Sequence, residues 1–154
     1  IIKINENVFT HGGVSEYFIG YGGSDFEQIN NIMRKSINRT KQEMKSTDFY
    51  DIYYGPKSLI WYRGYFKKYG DDLTDTDISK ILKQLDSNHI VVGHCSDDEV
   101  VQLFNNKIFG VDSSIKNGKY GEILFIENKQ FFFINNKRFL RGSLNGELVE
   151  FKSK

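Results

Sequence analysis

At 154 residues the chain is long enough for one domain with a core of its own. Hydrophobic residues make up 39% and charged residues 27%, with a formal net charge of +1, which excludes a disordered chain and any broad attraction to nucleic acid or membrane. A single cysteine, Cys95, excludes an internal disulfide framework, and no stretch approaches the roughly 20 apolar residues of a bilayer span, so the expected location is cytoplasmic.

The chain opens Ile1-Ile2-Lys3 inside a strand pattern, with neither an initiator Met nor a secretory pattern, which fits a piece of a longer protein. Apolar residues alternate at Ile2, Ile4 and Val8, predicting a strand over Ile1–Phe9 that ends at Thr10-His11 and turns at Gly12-Gly13. From Asp25 to about Lys45 the apolar positions Phe26, Ile29, Met33, Ile37, Thr40 and Met44 step by three and four, as on one helix face. Its other face carries Arg34, Lys35, Arg39, Lys41 and Lys45, either a solvated face or a phosphate-binding surface. Ser46–Ser58 reads as a loop whose aromatics at Phe49–Tyr54 either overhang a site or cap a core.

A second helix is expected from about Thr74 to Leu85, with Thr74 and Asp77 at capping-box spacing and Ile78, Ile81, Leu82 and Leu85 as its buried stripe. His89–Gly93 is an apolar run typical of a strand covered on both faces. Asn105-Asn106-Lys107 joins Val100–Phe104 to Ile108–Val111 as a hairpin, and Glu127-Asn128-Lys129 joins Glu122–Ile126 to Gln130–Ile134. Arg138–Leu140 is a candidate returning strand.

Three motifs could carry chemistry: F-T-H-G-G-V-S at Phe9–Ser15, G-P-K-S-L-I-W-Y-R-G-Y at Gly55–Tyr65 and H-I-V-V-G-H-C at His89–Cys95. His11 and His94 each follow an apolar run, where a rigid strand end can aim a ligand. Arg63 stands among Trp61, Tyr62 and Tyr65, and its planar fork suits either phosphate or stacking on rings. Cys95 is open to two readings, a thiolate ligand or a buried inert thiol. His89 reads as structural, and Ser96 with Asp97, Asp98 and Glu99 as the start of a helix or a turn rather than a metal cluster.

In this order the motifs resemble the second half of a calcineurin-like metallophosphoesterase domain, in the branch close to serine/threonine protein phosphatases. The resemblance implies an α+β fold, part of an α/β/β/α sandwich: mainly its second, mixed or antiparallel sheet with flanking helices, residues 1–154 being the C-terminal half. It further implies that His11 and His94 bind a second metal, that Arg63 clamps the substrate phosphate, and that Asp112, in a run similar to the family's G-I-D-T-G, orients His94 from behind. The family's D-x-H, G-D-x-x-D-R and G-N-H-E segments should precede His11 and do not appear. Two divalent metals (Mn, Fe or Zn) are thus implied for the complete domain, with none necessarily bound by this chain. The implied activity is hydrolysis of a phosphorylated protein or small phosphomonoester by metal-activated water, this chain being an incomplete and inactive part. A lone sheet would expose an apolar face, so self-association or a retained N-terminal segment is expected. The alternative is a non-catalytic β-rich interaction module whose histidines pack.

Overall fold

In the computed structural model the described residues are 1–69, 72–115, 121–135 and 147–150. The opening strand pattern is a hairpin: β1 (Ile2–Ile4) and β2 (Asn7–Thr10) pair antiparallel. Asn5 takes a φ of 54° at the bend, a left-handed position that Asn tolerates better than most residues. Alternation alone had run the two strands together.

β2 then enters the centre of a five-stranded sheet with β3 (His89–Val92), β4 (Val101–Leu103) and β5 (Ile108–Gly110), in the order β1-β2-β3-β5-β4. The inner strands β2, β3 and β5 are parallel, and the edges β1 and β4 are antiparallel to their neighbours. The residues between β2 and β3 supply α1 (Glu16–Gly22), α2 (Phe26–Ser36), α3 (Lys41–Lys45), α4 (Phe49–Tyr54) and α5 (Asp75–Gln84). Val8, Ile90, Val92 and Ile108 of the sheet join Phe18, Ile29, Tyr65, Ile78 and Ile81 in one core. Each such side chain contributes about 1.5–3 kcal/mol by leaving water.

Two helical expectations change. The period-3.6 stripe from Asp25 to Lys45 is two helices, because Thr40 and Glu43 form a capping box that starts α3. Thr40 is therefore a cap, not a stripe residue, and Ile37 is left 73% exposed in the intervening turn. The segment expected as a loop holds α4, whose Tyr53 packs edge-on to Phe18 of α1 at 5.7 Å. The aromatics of that segment cap the core, and the basic face leans on them: Arg39 lies 5.0 Å from the Phe49 ring and Lys45 5.2 Å from Tyr50. The Thr74–Asp77 capping box forms as expected.

A second sheet of β6 (Glu122–Glu127), β7 (Gln130–Asn135) and β8 (Glu147–Glu150) is antiparallel throughout. Asn128 and Lys129 make its first turn with φ of 50° and 64°, the conformation a two-residue hairpin needs. Phe131 stacks on Phe109 of β5 at 4.4 Å, joining the two sheets. Arg138–Leu140 lies outside the described residues.

The expected α+β half-sandwich, a lone second sheet with flanking helices, is corrected. The chain is an α/β fold around a mixed sheet that carries its own cover: Ile90, Val92, Ile108 and Phe109 are each 0% exposed. Strands parallel at the centre need such two-sided burial, which the apolar runs of β3 and β5 supply. No described helix is long and apolar enough to cross a membrane.

Candidate functional site

The three parallel strands all run toward one edge of the sheet. Thr10 pairs with Val92 and Val92 with Gly110, so the residues that follow, His11, Gly93-His94 and Val111-Asp112, leave the sheet together. Ligands of open α/β sheets gather at this carboxyl edge, where loops diverge from rigid strands. The Gly93 amide donates to the His11 carbonyl at 2.9 Å and the Val111 amide to Val92 at 2.8 Å, which holds the three exits in register.

The H-G-G motif is the surface against which the Gly55–Tyr65 motif packs. The Gly12 amide donates to the Leu59 carbonyl at 2.7 Å, and the Thr10 hydroxyl donates to the same oxygen at 3.1 Å. A Cβ at position 12 would lie 2.7 Å from the Ile60 carbonyl group, so only glycine allows this approach. Tyr65 completes the clamp, donating to the Val14 carbonyl at 2.7 Å and accepting from the Val14 amide at 2.9 Å. Burial pushes its hydroxyl well above the ordinary tyrosine range, so the donor stays protonated. Arg63 is thereby delivered to the strand ends.

His94 is the middle of a tight turn in which the Cys95 amide donates to the Gly93 carbonyl at 2.7 Å. Its φ is 64°, a left-handed value that is strained for most side chains. The turn aims its ring at two neighbours. His94 Nδ1 lies 3.1 Å from His11 Nε2, so one of these nitrogens carries the proton and the other accepts it. On its other side the Trp61 ring meets it edge-on at 5.2 Å. The Arg63 guanidinium lies over Trp61 at 5.8 Å and over Tyr69 at 5.5 Å, extending the row. His11 is exposed, and His94 and Arg63 are half-buried.

Asp112 stands behind this row. Its carboxylate accepts from the Ser96 hydroxyl at 2.7 Å and from the Ser114 amide at 3.2 Å, and its carbonyl accepts from the Asp97 amide at 2.8 Å. These bonds tie the segment after His94 to the strand-end loop of β5. Ser96 does not cap a helix, because its hydroxyl is directed to Asp112 instead. His89 is structural: its Nδ1 pairs with Asn7 Oδ1 at 3.0 Å, and its ring lies beside the stacked rings of Phe109 and Phe131. Cys95 is 3% exposed, and burial pushes its thiol up, with Arg63 acting more weakly in the opposite direction.

The structure thus brings His11, His94, Arg63 and Asp112 to one edge. The stacking of Arg63 on Trp61 is one of the two readings its sequence context offers, whereas Tyr69, which also carries it, has no signal in the sequence beyond being aromatic. The expected pair of divalent metals is corrected. Among the described residues no group of three or more His, Cys, Asp or Glu side chains could hold a metal ion. A transition-metal site usually takes three or four protein ligands, and here the facing nitrogens of the two imidazoles serve each other.

The sequence matches no known family profile and no curated protein. Solved structures of a cold-active protein tyrosine phosphatase do match. One, from the psychrophile Shewanella sp., has 33% identity and a TM-score of 0.80, the match covering 97% of this chain and 42% of that one. Another, at 1.1 Å, has 33% identity and a TM-score of 0.79, covering 96% and 41%. The chain therefore spans about two fifths of the length of the structures it resembles. This likeness is to a protein tyrosine phosphatase, so the expected place among calcineurin-like metallophosphoesterases is corrected, and with it the manganese or other two-metal cofactor.

Proposed function

We propose that this chain builds the phosphate-handling part of a phosphomonoester hydrolase whose substrate is a phosphorylated protein, with phosphotyrosyl side chains as the preferred class. One observation carries the reading: two imidazoles and a guanidinium converge at the carboxyl edge of a sheet that matches solved structures of a protein tyrosine phosphatase. Arg63, flanked by Trp61 and Tyr69, has the planar fork that binds phosphoryl oxygens through paired N–H donors. The His11–His94 pair supplies a further N–H and can pass a proton to the departing oxygen. Asp112 positions the loop that presents His94. The Cys95 thiol is not assigned as a nucleophile, because a buried group with a raised pKa is poor in thiolate. A reducing compartment such as the cytoplasm suits that lone thiol.

Phosphate binding is the direct test, because it needs only the residues named. Trp61 is the sole tryptophan and touches both His94 and Arg63, so its emission reports the site. Inorganic phosphate should shift that emission, a phosphotyrosyl peptide should bind more tightly than its phosphoseryl counterpart, and Arg63→Gln should weaken both at least about tenfold. An emission that phosphate leaves unchanged sinks the reading. Repeating the titration in EDTA and in added Mn²⁺ tests the correction above: a response that requires the ion would restore a metal to this site.

A further inference from the structure

Beside the phosphate row lies a cavity of about 520 Å³, within the roughly 300–1,000 Å³ of small-molecule sites. Its apolar wall comes from two places far apart in sequence: Phe66 and Leu73, and Val101, Leu103 and Phe104 around the edge strand β4. Val101 and Leu103 are half-buried only, on an edge that the sheet leaves unpaired among the described strands. The cavity shares walls with the candidate site. Tyr69 lines it and also lies under Arg63, while Cys95 and Ser96 line it and directly follow His94.

The rim is charged unevenly. Lys67 and Lys68 are exposed, with Lys68 over the Tyr69 ring at 5.7 Å and acting electrostatically on Cys95, so this positive charge adjoins the Arg63 side. Asp72 and Asp97 also line the cavity. An apolar hole bordered by cations on the side facing a phosphate clamp suits an occupant that is apolar in the middle and anionic where it meets the clamp.

We propose that this cavity is a substrate subsite, taking an apolar side chain close in sequence to the phosphorylated residue, with an acidic neighbour against Lys67 and Lys68. The inference rests on the phosphate-binding reading above. It makes the protein selective among phosphorylated sequences, since the phosphate and the apolar residue must both be seated. Burial of the apolar side chain adds affinity that a phosphate alone cannot gain.

The test uses three phosphotyrosyl peptides differing only at one flanking position (Leu, Ala or Lys), each bearing an adjacent Glu, with inorganic phosphate as reference. Trp61 emission gives affinities for the unmodified chain and for Leu103→Asp, a substitution at a half-exposed strand position. The Leu peptide is expected to bind about tenfold more tightly than the Ala peptide, and the Lys peptide more weakly still. In Leu103→Asp that discrimination disappears while phosphate affinity holds. The double change Lys67→Glu and Lys68→Glu should remove the benefit of the adjacent Glu. Equal affinity for all three peptides, with phosphate still bound, overturns the subsite alone. Failure of phosphate itself to bind overturns the subsite together with the reading it rests on. If Leu103→Asp weakens phosphate as much as peptide, its effect is structural and the subsite is again refuted.

Discussion

His94 shows what the fold gives up to place one ring. A left-handed backbone costs an ordinary L-residue roughly 1–2 kcal/mol, and glycine nothing comparable. At φ 64° a glycine would relieve that strain, yet the position holds an imidazole facing both His11 and Trp61. Strain kept at a residue with such neighbours points to use of the side chain. His94→Gly should therefore be about 1 kcal/mol more stable than His94→Ala in chemical denaturation, although both lose the phosphate response of Trp61. Equal stability of the two variants would mean that the turn is not strained. The sequence displayed His94 after an apolar run but carried no sign of its backbone angle. That angle comes from the turn binding Cys95 to Gly93, and it decides that two imidazoles face each other. An imidazole pair at strand ends suits a metal or a phosphate equally well until its geometry is known, which is why motif order alone led to a metal.

Between elements, the decisive contact is the Tyr65 clamp that pins the arginine-bearing segment to the loop after β2. Tyr65 is 1% exposed and satisfies both the amide and the carbonyl of Val14. Tyr65→Phe leaves those two buried groups unpaired, each costing about 1–3 kcal/mol. The expected outcome is a loss of roughly 2–4 kcal/mol in stability, with weaker phosphate binding at Arg63 two residues away. A variant as stable as the parent would show that water or a rearranged chain satisfies Val14. The same scale shows how far local patterns reach. Thr74 and Asp77 revealed a helix start by spacing alone, and the contact is there. Thr40 and Glu43 have the same spacing and form the same box, but the apolar three-and-four steps continue across them and conceal the break. The cavity beside the site was illegible for a different reason. Its walls come from residues about thirty positions apart, joined only when β4 takes the sheet edge, and no local period encodes that pairing.

At the scale of the molecule, the two sheets meet at a seam that holds His89 and, beside it, the Glu6–Lys129 ion pair at 3.0 Å. The His89 ring lies 4.5 Å from Phe131 and 5.9 Å from Phe109, and Nδ1 reaches Asn7 on β2. Burial holds its pKa below the ordinary value, with the Glu6 charge acting more weakly the other way. In the unfolded chain the ring takes up a proton near pH 6.5, the usual histidine value. Between that pH and its lower folded pKa the unfolded state binds more protons, so stability falls as pH falls through the window. Above about pH 6.5 neither state is protonated and the contribution is complete. Denaturation midpoints measured from pH 7.5 down to 5 should therefore decline in the parent chain. His89→Gln, which can still donate to Asn7 but cannot titrate, should lack this component of the decline. The two profiles falling in parallel would place the acid sensitivity elsewhere. Because the seam joins Phe109 of β5 to Phe131 of β7, protonating His89 loosens the second sheet first. Hydrogen exchange at pH 5 should accordingly rise in β6 and β7 before it rises in β3, whose residues lie in the core that the strand ends of the site depend on.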